Sequence, residues 1–333
     1  MNTIVTDYLP IALQAVRAAS LLVKKIQQEI LIQSLSKVDK SPVTVADFAS
    51  QAVIARTLLD HLPDCVIVGE EDSISLQSEP NQHVLSTITQ YVRSNFPTAE
   101  KQDVCQWIDA GNHQTADRFW TVDPIDGTKG FLRGDQFVVA LAYIENGFVQ
   151  LGVLGCPNLN SEVLPDQHGD GSLIYAIRGS GCWVLPIDNK VESPARQISV
   201  SANSSPKNLR LLRSFESGHT NADLTQKFME KMGITTPSIS MDSQAKYGLL
   251  AAGHGELLLR FLSPSQMDYK EKIWDQAAGS IILEESGGKI TDLDGKPLDF
   301  TTGRMLLNNS GILATNGLVH HQALEILRSL TKE

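Results

Sequence analysis

The chain has 333 residues, 42% hydrophobic and 20% charged, with a net charge of −10. That composition excludes a disordered chain and suits one large domain or two packed lobes. The acidic balance, without any basic stripe, argues against a nucleic-acid partner, and no apolar run approaches the roughly 18 residues a membrane span needs.

No basic start leads into an apolar segment at the N-terminus, so a cytoplasmic protein is expected. Leu9, Ala12, Leu13, Val16, Ala19, Val23, Ile26 and Ile30 mark one face of an amphipathic helix over residues 9–30. A second helix is predicted from near Thr44 through VADFASQAVIARTLLDHL, with Asp47 in its first turn. CVIVG (65–69) reads as a short buried strand that delivers Glu70, Glu71 and Asp72 at its exit. Residues 73–105 are polar, rich in Ser and Gln, and read as a surface insertion with one helix near 83–95. In VDPIDGTKGF (122–131), Pro124 and Gly127 rule out a regular helix, so a strand ending at Asp123 and then a tight turn are expected. Apolar runs flanking Glu145-Asn146-Gly147, and again Arg178-Gly179-Ser180-Gly181, signal hairpins.

The stretch 186–207 is rich in Pro, Ser and Asn and reads as a lobe boundary, giving an N-terminal lobe 1–197 and a C-terminal lobe 198–333. Beyond it, strands near 209–214 and 256–262 and the strand GILAT alternate with helices near 220–232, 243–252, 274–285 and 318–330. The class is α+β, or mixed α/β, with helix and sheet layers stacked. Cys65, Cys105, Cys156 and Cys182 are scattered without a CxxC pair, so reduced thiols are expected rather than a zinc site or disulfide framework.

Three separated segments each place carboxylates at an element end: Glu70 after a strand, Asp123 and Asp126 in the turn, and Asp275 at a helix start. Taken singly, Asp275 could merely stabilise a helix N-terminus, and residues 70–72 could be a solvated acidic loop. If they converge, they cannot all stay ionised without cations, and Lys129 is the only Lys or Arg inside the motifs. An all-oxygen set without His or Cys suits Mg²⁺, and two such ions would form a clamp for in-line displacement at phosphorus.

GEED (69–72), DPIDGTKGF (123–131) and WDQAAG (274–279), preceded by DKSPVTVAD (39–47), resemble the signature of the inositol-monophosphatase superfamily of Mg²⁺-dependent, lithium-sensitive phosphatases. The resemblance covers nearly the whole chain and implies a layered α/β/α/β/α sandwich. It implies that Glu70, Asp123 and the carbonyl of Ile125 hold one metal, and that Asp123, Asp126 and Asp275 hold a second. A third, weaker ion would lean on Glu70 with Glu71 nearby, making two to three ions per site. Thr128 and Asp47 would orient and deprotonate the attacking water, and the backbone amides of Gly127 and Thr128 would meet the substrate phosphate.

Within the superfamily, GTKGFLRGDQFVVALAYIENGFVQLGVLGCPNL, SFESGHT (214–220) and MDSQAKYGLLAAG (241–253) look like the branch acting on 3′(2′),5′-bisphosphate nucleotides, where simple inositol monophosphatases have a GTTNF-type turn. That branch hydrolyses adenosine 3′,5′-bisphosphate to AMP and phosphate, extends to 3′-phosphoadenylyl sulfate, and serves sulfur assimilation. By this resemblance His219, Ser243 and Lys246 would grip the far phosphate and ribose, and Arg260 would lie along the adenine. Read alone, His219 and Lys246 could be solvated surface residues, and Arg260 could simply pair with a carboxylate. Gly248 departs from the branch, which often carries a cysteine there. The partner expected is a small-molecule substrate, adenosine 3′,5′-bisphosphate, with the oligomeric state open and a monomer favoured; the rival readings are an inositol phosphate phosphatase and a non-catalytic nucleotide sensor.

Overall fold

Two apolar-faced helices open the chain in a computed structural model that describes residues 3–33, 41–188, 194–215, 221–262 and 268–330. In α1 (Thr3–Gln33) Ala12, Val16, Ala19, Val23 and Ile26 are buried, the stripe expected at helical spacing. In α2 (Ser41–His61) almost every residue from Val45 to Ala55 is buried, because neighbours cover it all round. Asp47 sits in the second turn of α2 rather than the first, since the helix begins three residues before Thr44.

Residues 73–105 are not a surface insertion. Helices α3 (Gln82–Val92) and α4 (Lys101–Asp109) both pack on α2, burying Val84, Leu85, Ile88, Val92, Val104 and Ile108. Their polar residues face outward and mask an apolar stripe at i, i+4 spacing.

The first sheet runs in chain order: β1 (Ile67–Gly69), β2 (Arg118–Asp126), β3 (Val138–Glu145), β4 (Phe148–Cys156), β5 (Ser172–Ile177), β6 (Cys182–Pro186) and β7 (Arg196–Ile198). β1 is parallel to β2 and the other neighbours are antiparallel. The short helix α5 (Thr128–Arg133) links β2 to β3. At the β3–β4 hairpin Asn146 and Gly147 have φ of 51° and 78°, the left-handed pair such a two-residue turn needs.

A second sheet joins β8 (Leu211–Arg213), β9 (Ile239–Ser240), β10 (Leu257–Arg260), β11 (Lys289–Thr291) and β12 (Ile312–Thr315) in the order β11-β12-β10-β8-β9. The remaining helices are α6 (Ala222–Met232), α7 (Ala245–Ala251), α8 (Ala277–Glu285) and α9 (His320–Leu330).

Three apolar clusters show the layering. One joins α1 and α2 to the face of the first sheet carrying Trp120, Val122 and Leu141. The second joins the opposite face, through Ala140 and Leu154, to α7, α8 and the near face of the second sheet. The third closes the far face of the second sheet, Leu211 and Leu259, under α6 and α9. The result is an α/β/α/β/α sandwich of mixed α/β class. Small residues set the depth of the middle layer: a Cβ at Gly152 would stand 2.5 Å from Ile281 and 2.9 Å from the Ala278 carbonyl, so only glycine lets α8 lie this close to β4. That approach carries Asp275 toward the end of β2. All four cysteines are free thiols.

Candidate active site

The pairing of β2 with β3 slips once. Asp123 faces Ala140 and Asp126 faces Val138, so β2 spends three steps where β3 spends two. This bulge corrects the expectation of a strand ending at Asp123, since pairing resumes at Asp126. Pro124 occupies the bulge, where no ladder donor is needed, and its carbonyl accepts a 2.9 Å hydrogen bond from Ser50 of α2. Gly127 then turns the chain into α5 with φ of 90°, and a Cβ there would lie 2.8 Å from the Cβ of Ser243. The turn can therefore meet the second half of the chain only as glycine.

At this junction a cavity of about 380 Å³ opens. Its walls include Glu70, Asp123, Ile125, Asp126, Gly127, Thr128 and Asp275, together with Ser243, Lys246 and Arg260. Asp275 precedes α8, which begins at Ala277 rather than Trp274, so its side chain hangs from the loop at the helix entrance. Asp47 and Glu71 stand behind this wall. His219 lies outside the described residues.

The carboxylates are crowded. Burial raises the pKa of Asp123 well above the ordinary range, and Glu70, Asp126, Asp275 and Asp47 push it further. Burial, then Asp126, Glu271 and Glu70, do the same to Asp275. Glu70 reaches solvent through the cavity yet is hemmed in by protein; burial and Asp126 raise it while Lys272 opposes. Asp47 is raised by burial and by Glu71 and Glu70, and Glu71 by burial, Glu70 and Asp72 to about 7. Asp126 is also raised by burial, against the pull of Lys246 and the amide of Gln244.

Such a cluster calls for a cation. Oδ1 of Asp123 is buried with no hydrogen-bond partner, an acceptor left for something other than a protein donor. The donor set is entirely oxygen, as Mg²⁺ prefers. The carboxylates line one cavity without closing on a point: among the described residues no three His, Cys, Asp or Glu side chains stand in finished ligating array. A bound ion would have to draw them inward. Thr128 donates at 3.4 Å to the carbonyl of Ile125 and not to Asp47, so these two candidate water-handling residues are not hydrogen bonded to each other.

Several residues here escape sequence reasoning because tertiary partners alone define their roles. The Gln244 amide donates to Oδ2 of Asp126 at 2.6 Å, its Nε2 to the carbonyl of Trp274 at 3.0 Å, and its Oε1 accepts from the amide of Gly279 at 3.0 Å. One side chain thus joins α7 to both ends of the Asp275 segment. Gln244→Ala should cost about 3 kcal/mol, since two buried backbone groups lose their partners. Thermal or denaturant unfolding measures it, and a loss below about 1 kcal/mol would contradict this bridging role. Gln51 acts similarly behind Glu71: its Nε2 donates to the carbonyls of Glu71 (2.6 Å) and Ile108 (2.8 Å), and its Oε1 accepts from the Glu71 amide (3.0 Å).

On the cationic side, Arg260 pairs with the buried Glu271 (Nε to Oε1 2.9 Å) and faces the ring of Tyr269 at 5.5 Å. Glu271 accepts from Gln276 at 3.0 Å, and Gln276 accepts from Tyr247 at 2.5 Å, a buried chain running to the base of Asp275. Burial lowers the pKa of Lys246 to about 8 despite Asp126 and Asp242, and its Nζ donates to the Met241 carbonyl at 3.1 Å. Ser243 holds φ of 66°, a left-handed conformation unusual for serine that lies in the cavity wall.

Residues 5–331 match the family described as "Inositol monophosphatase family". A protein of Oryza sativa named 3′(2′),5′-bisphosphate nucleotidase is 40% identical, over 97% of this chain and 94% of its own. A Schizosaccharomyces pombe protein of the same name is 36% identical, over 97% and 95%. Among solved structures, an IMPase of Thermotoga maritima superposes with a TM-score of 0.62 at 22% identity, covering 98% of each chain, a likeness of fold.

Proposed function

The chain belongs to the inositol monophosphatase family, and from that premise we propose that its cavity hydrolyses the 3′-phosphate of adenosine 3′,5′-bisphosphate, giving AMP and phosphate. The observation that carries this reading is the mixed charge of the cavity lining. Glu70, Asp123, Asp126 and Asp275 line it together with Lys246 and Arg260. A substrate with two phosphates needs both sets: carboxylates that hold cations at the ester that is cleaved, and cationic groups for the phosphate that stays. The two curated relatives bear the name of that activity.

In this reading Glu70, Asp123, Asp126, Asp275 and the Ile125 carbonyl hold two Mg²⁺ ions, with Glu71 supporting a third. Bound Mg²⁺ supplies neutralising charge to the transferring phosphoryl group and acidifies the attacking water. The chain's own groups do the rest. Thr128 and the carboxylate of Asp47 hold that water and take its proton. The water oxygen bonds to phosphorus, the P–O3′ bond breaks, and the ribose 3′-oxygen leaves, taking its proton from a solvent water in the open cavity. The turn amides of Gly127 and Thr128 meet the transferred phosphate, and Ser243, Lys246 and His219 meet the one retained. Lys246, lowered by burial to about 8, is favoured in its charged form by a phosphate dianion beside it. Arg260 lies along the adenine.

The same reading takes in 3′-phosphoadenylyl sulfate as a second substrate, a monomer with lobes 1–197 and 198–333 meeting at the cavity, and work in the cytoplasm. Among the described residues no helix is long and apolar enough to cross a membrane. Initial rates of phosphate release from adenosine 3′,5′-bisphosphate and from inositol 1-phosphate, side by side with Mg²⁺, test the substrate assignment. The nucleotide should be preferred by at least about 100-fold, the order of effect of a phosphate and a base left ungripped. Equal rates would overturn the roles of Ser243, Lys246 and Arg260.

A further inference from the structure

Glu70 and Asp275 reach the cavity from different elements, one at the exit of β1 and the other from the turn before α8. One residue outside the cavity wall touches the backbone just ahead of both. Nη2 of Arg304 donates to the carbonyl of Gly69, the residue before Glu70. Its Nη1 donates to the carbonyls of Gly111 (3.3 Å) and His113 (3.2 Å), and the Gly69 amide in turn donates to that same Gly111 carbonyl at 2.8 Å. The guanidinium lies 4.9 Å from the ring of Trp274, the residue before Asp275. The Arg304 carbonyl accepts from the amide of Ile273 at 3.2 Å, and the Leu306 amide donates to the Glu271 carbonyl at 2.9 Å, so residues 271–273 and 304–306 run as a short ladder.

We propose that Arg304 is a positioning residue that sets the spacing between Glu70 and Asp275, and through it the affinity of the site for divalent cations. The claim rests on the Mg²⁺ reading above. A planar fork can hold three carbonyls of the 69–113 region while its face rests on an indole, which a point-charge ammonium cannot do. The donors go to carbonyls, so the contact fixes geometry. Two carboxylates that line one cavity and repel each other must be held in place, and a bridge between the two backbone segments that carry them does this without occupying the cavity. Supporting groups behind metal ligands commonly change metal affinity by about 10- to 100-fold when removed.

Titration calorimetry with Mn²⁺ on EDTA-stripped protein tests the proposal directly, on wild type, Arg304→Met and Arg304→Lys. Met keeps an apolar stem against Trp274, and Lys keeps the charge without the fork. Both variants should bind Mn²⁺ about tenfold or more weakly, and both should show a smaller rise in unfolding temperature on adding Mg²⁺. A merely structural role would lower the stripped and Mg²⁺-loaded unfolding temperatures equally and leave the Mn²⁺ affinity of the folded protein unchanged, and that result overturns the proposal. Should Arg304→Met fail to fold, Arg304→Lys decides alone. Wild type that binds no Mn²⁺ would overturn the Mg²⁺ reading and this inference together; wild type and variants binding equally would overturn this inference only.

Discussion

Replacing Asp123 with Asn should cut phosphate release from adenosine 3′,5′-bisphosphate by about 10³-fold or more, while making the metal-free protein more stable rather than less. The loss follows from the charge Asp123 contributes among Glu70, Asp126, Asp275 and Asp47. Metal stabilisation of a transferring phosphoryl group is worth several kcal/mol, and each ~1.4 kcal/mol is tenfold in rate. The gain in stability follows from its burial. Asp123 is 2% exposed, and both burial and four neighbouring carboxylates raise its folded pKa above the unfolded value of about 4. Such a group takes up a proton on folding, so at each pH above about 4 its ionised form costs the folded state free energy. Below that pH it is protonated in both states and the cost vanishes. Unfolding temperatures in EDTA should therefore rise for Asp123→Asn at pH 7.5 and match wild type near pH 3.5. Activity within severalfold of wild type would contradict the acidic-cage account, and a drop in metal-free stability at pH 7.5 would contradict the burial argument.

Arg260→Ala should raise KM for the nucleotide about tenfold with kcat within about threefold, on the proposal that its guanidinium stacks on the base and takes no part in the displacement. It should also cost the fold about 3 kcal/mol. The reason is Glu271, 3% exposed, whose Oε1 faces Arg260 at 2.9 Å. Removing the cation strands a buried carboxylate, which is harmful out of proportion to the worth of the intact pair. Gln276 and Lys246 still favour its charge, but burial and Asp126 oppose it. Arg260→Ala/Glu271→Gln should recover most of the stability and none of the KM, which separates the two roles. A fall in kcat at unchanged KM would contradict the stacking role.

The acidic cluster of the cavity was legible in the sequence because its chemistry restricts residue type at element ends: carboxylates at 70, 123, 126 and 275, each beside a strand exit, a constrained turn or a helix entrance. The cavity brings these together. Bulges and depth were not legible. No local pattern distinguishes a strand that stops at Asp123 from one that slips and resumes at Asp126, because the difference lies in the pairing with Ala140 and Val138. Gln51, Gln244, Glu271 and Arg304 carry ordinary polar side chains in ordinary strings, and only the folded backbone groups they meet give them their roles. The misreading of 73–105 had a visible remedy. Val84, Ile88 and Val92 recur at i, i+4, and that spacing outweighs the Ser and Gln between them, since burial needs only one face. β9 and β11, two and three residues long, are defined by their neighbours more than by their own residues.

The most direct test of the central claim is to follow adenosine 3′,5′-bisphosphate and its products by phosphorus NMR, first with Mg²⁺ and then with excess EDTA. The carboxylates and cations of the cavity together predict AMP and one equivalent of phosphate with Mg²⁺, and no turnover once the ion is chelated. Adenosine 3′-phosphate as the product would mean that the cleaved and the retained phosphate are assigned the wrong way round. Turnover that survives EDTA would contradict the role given to Glu70, Asp123, Asp126 and Asp275.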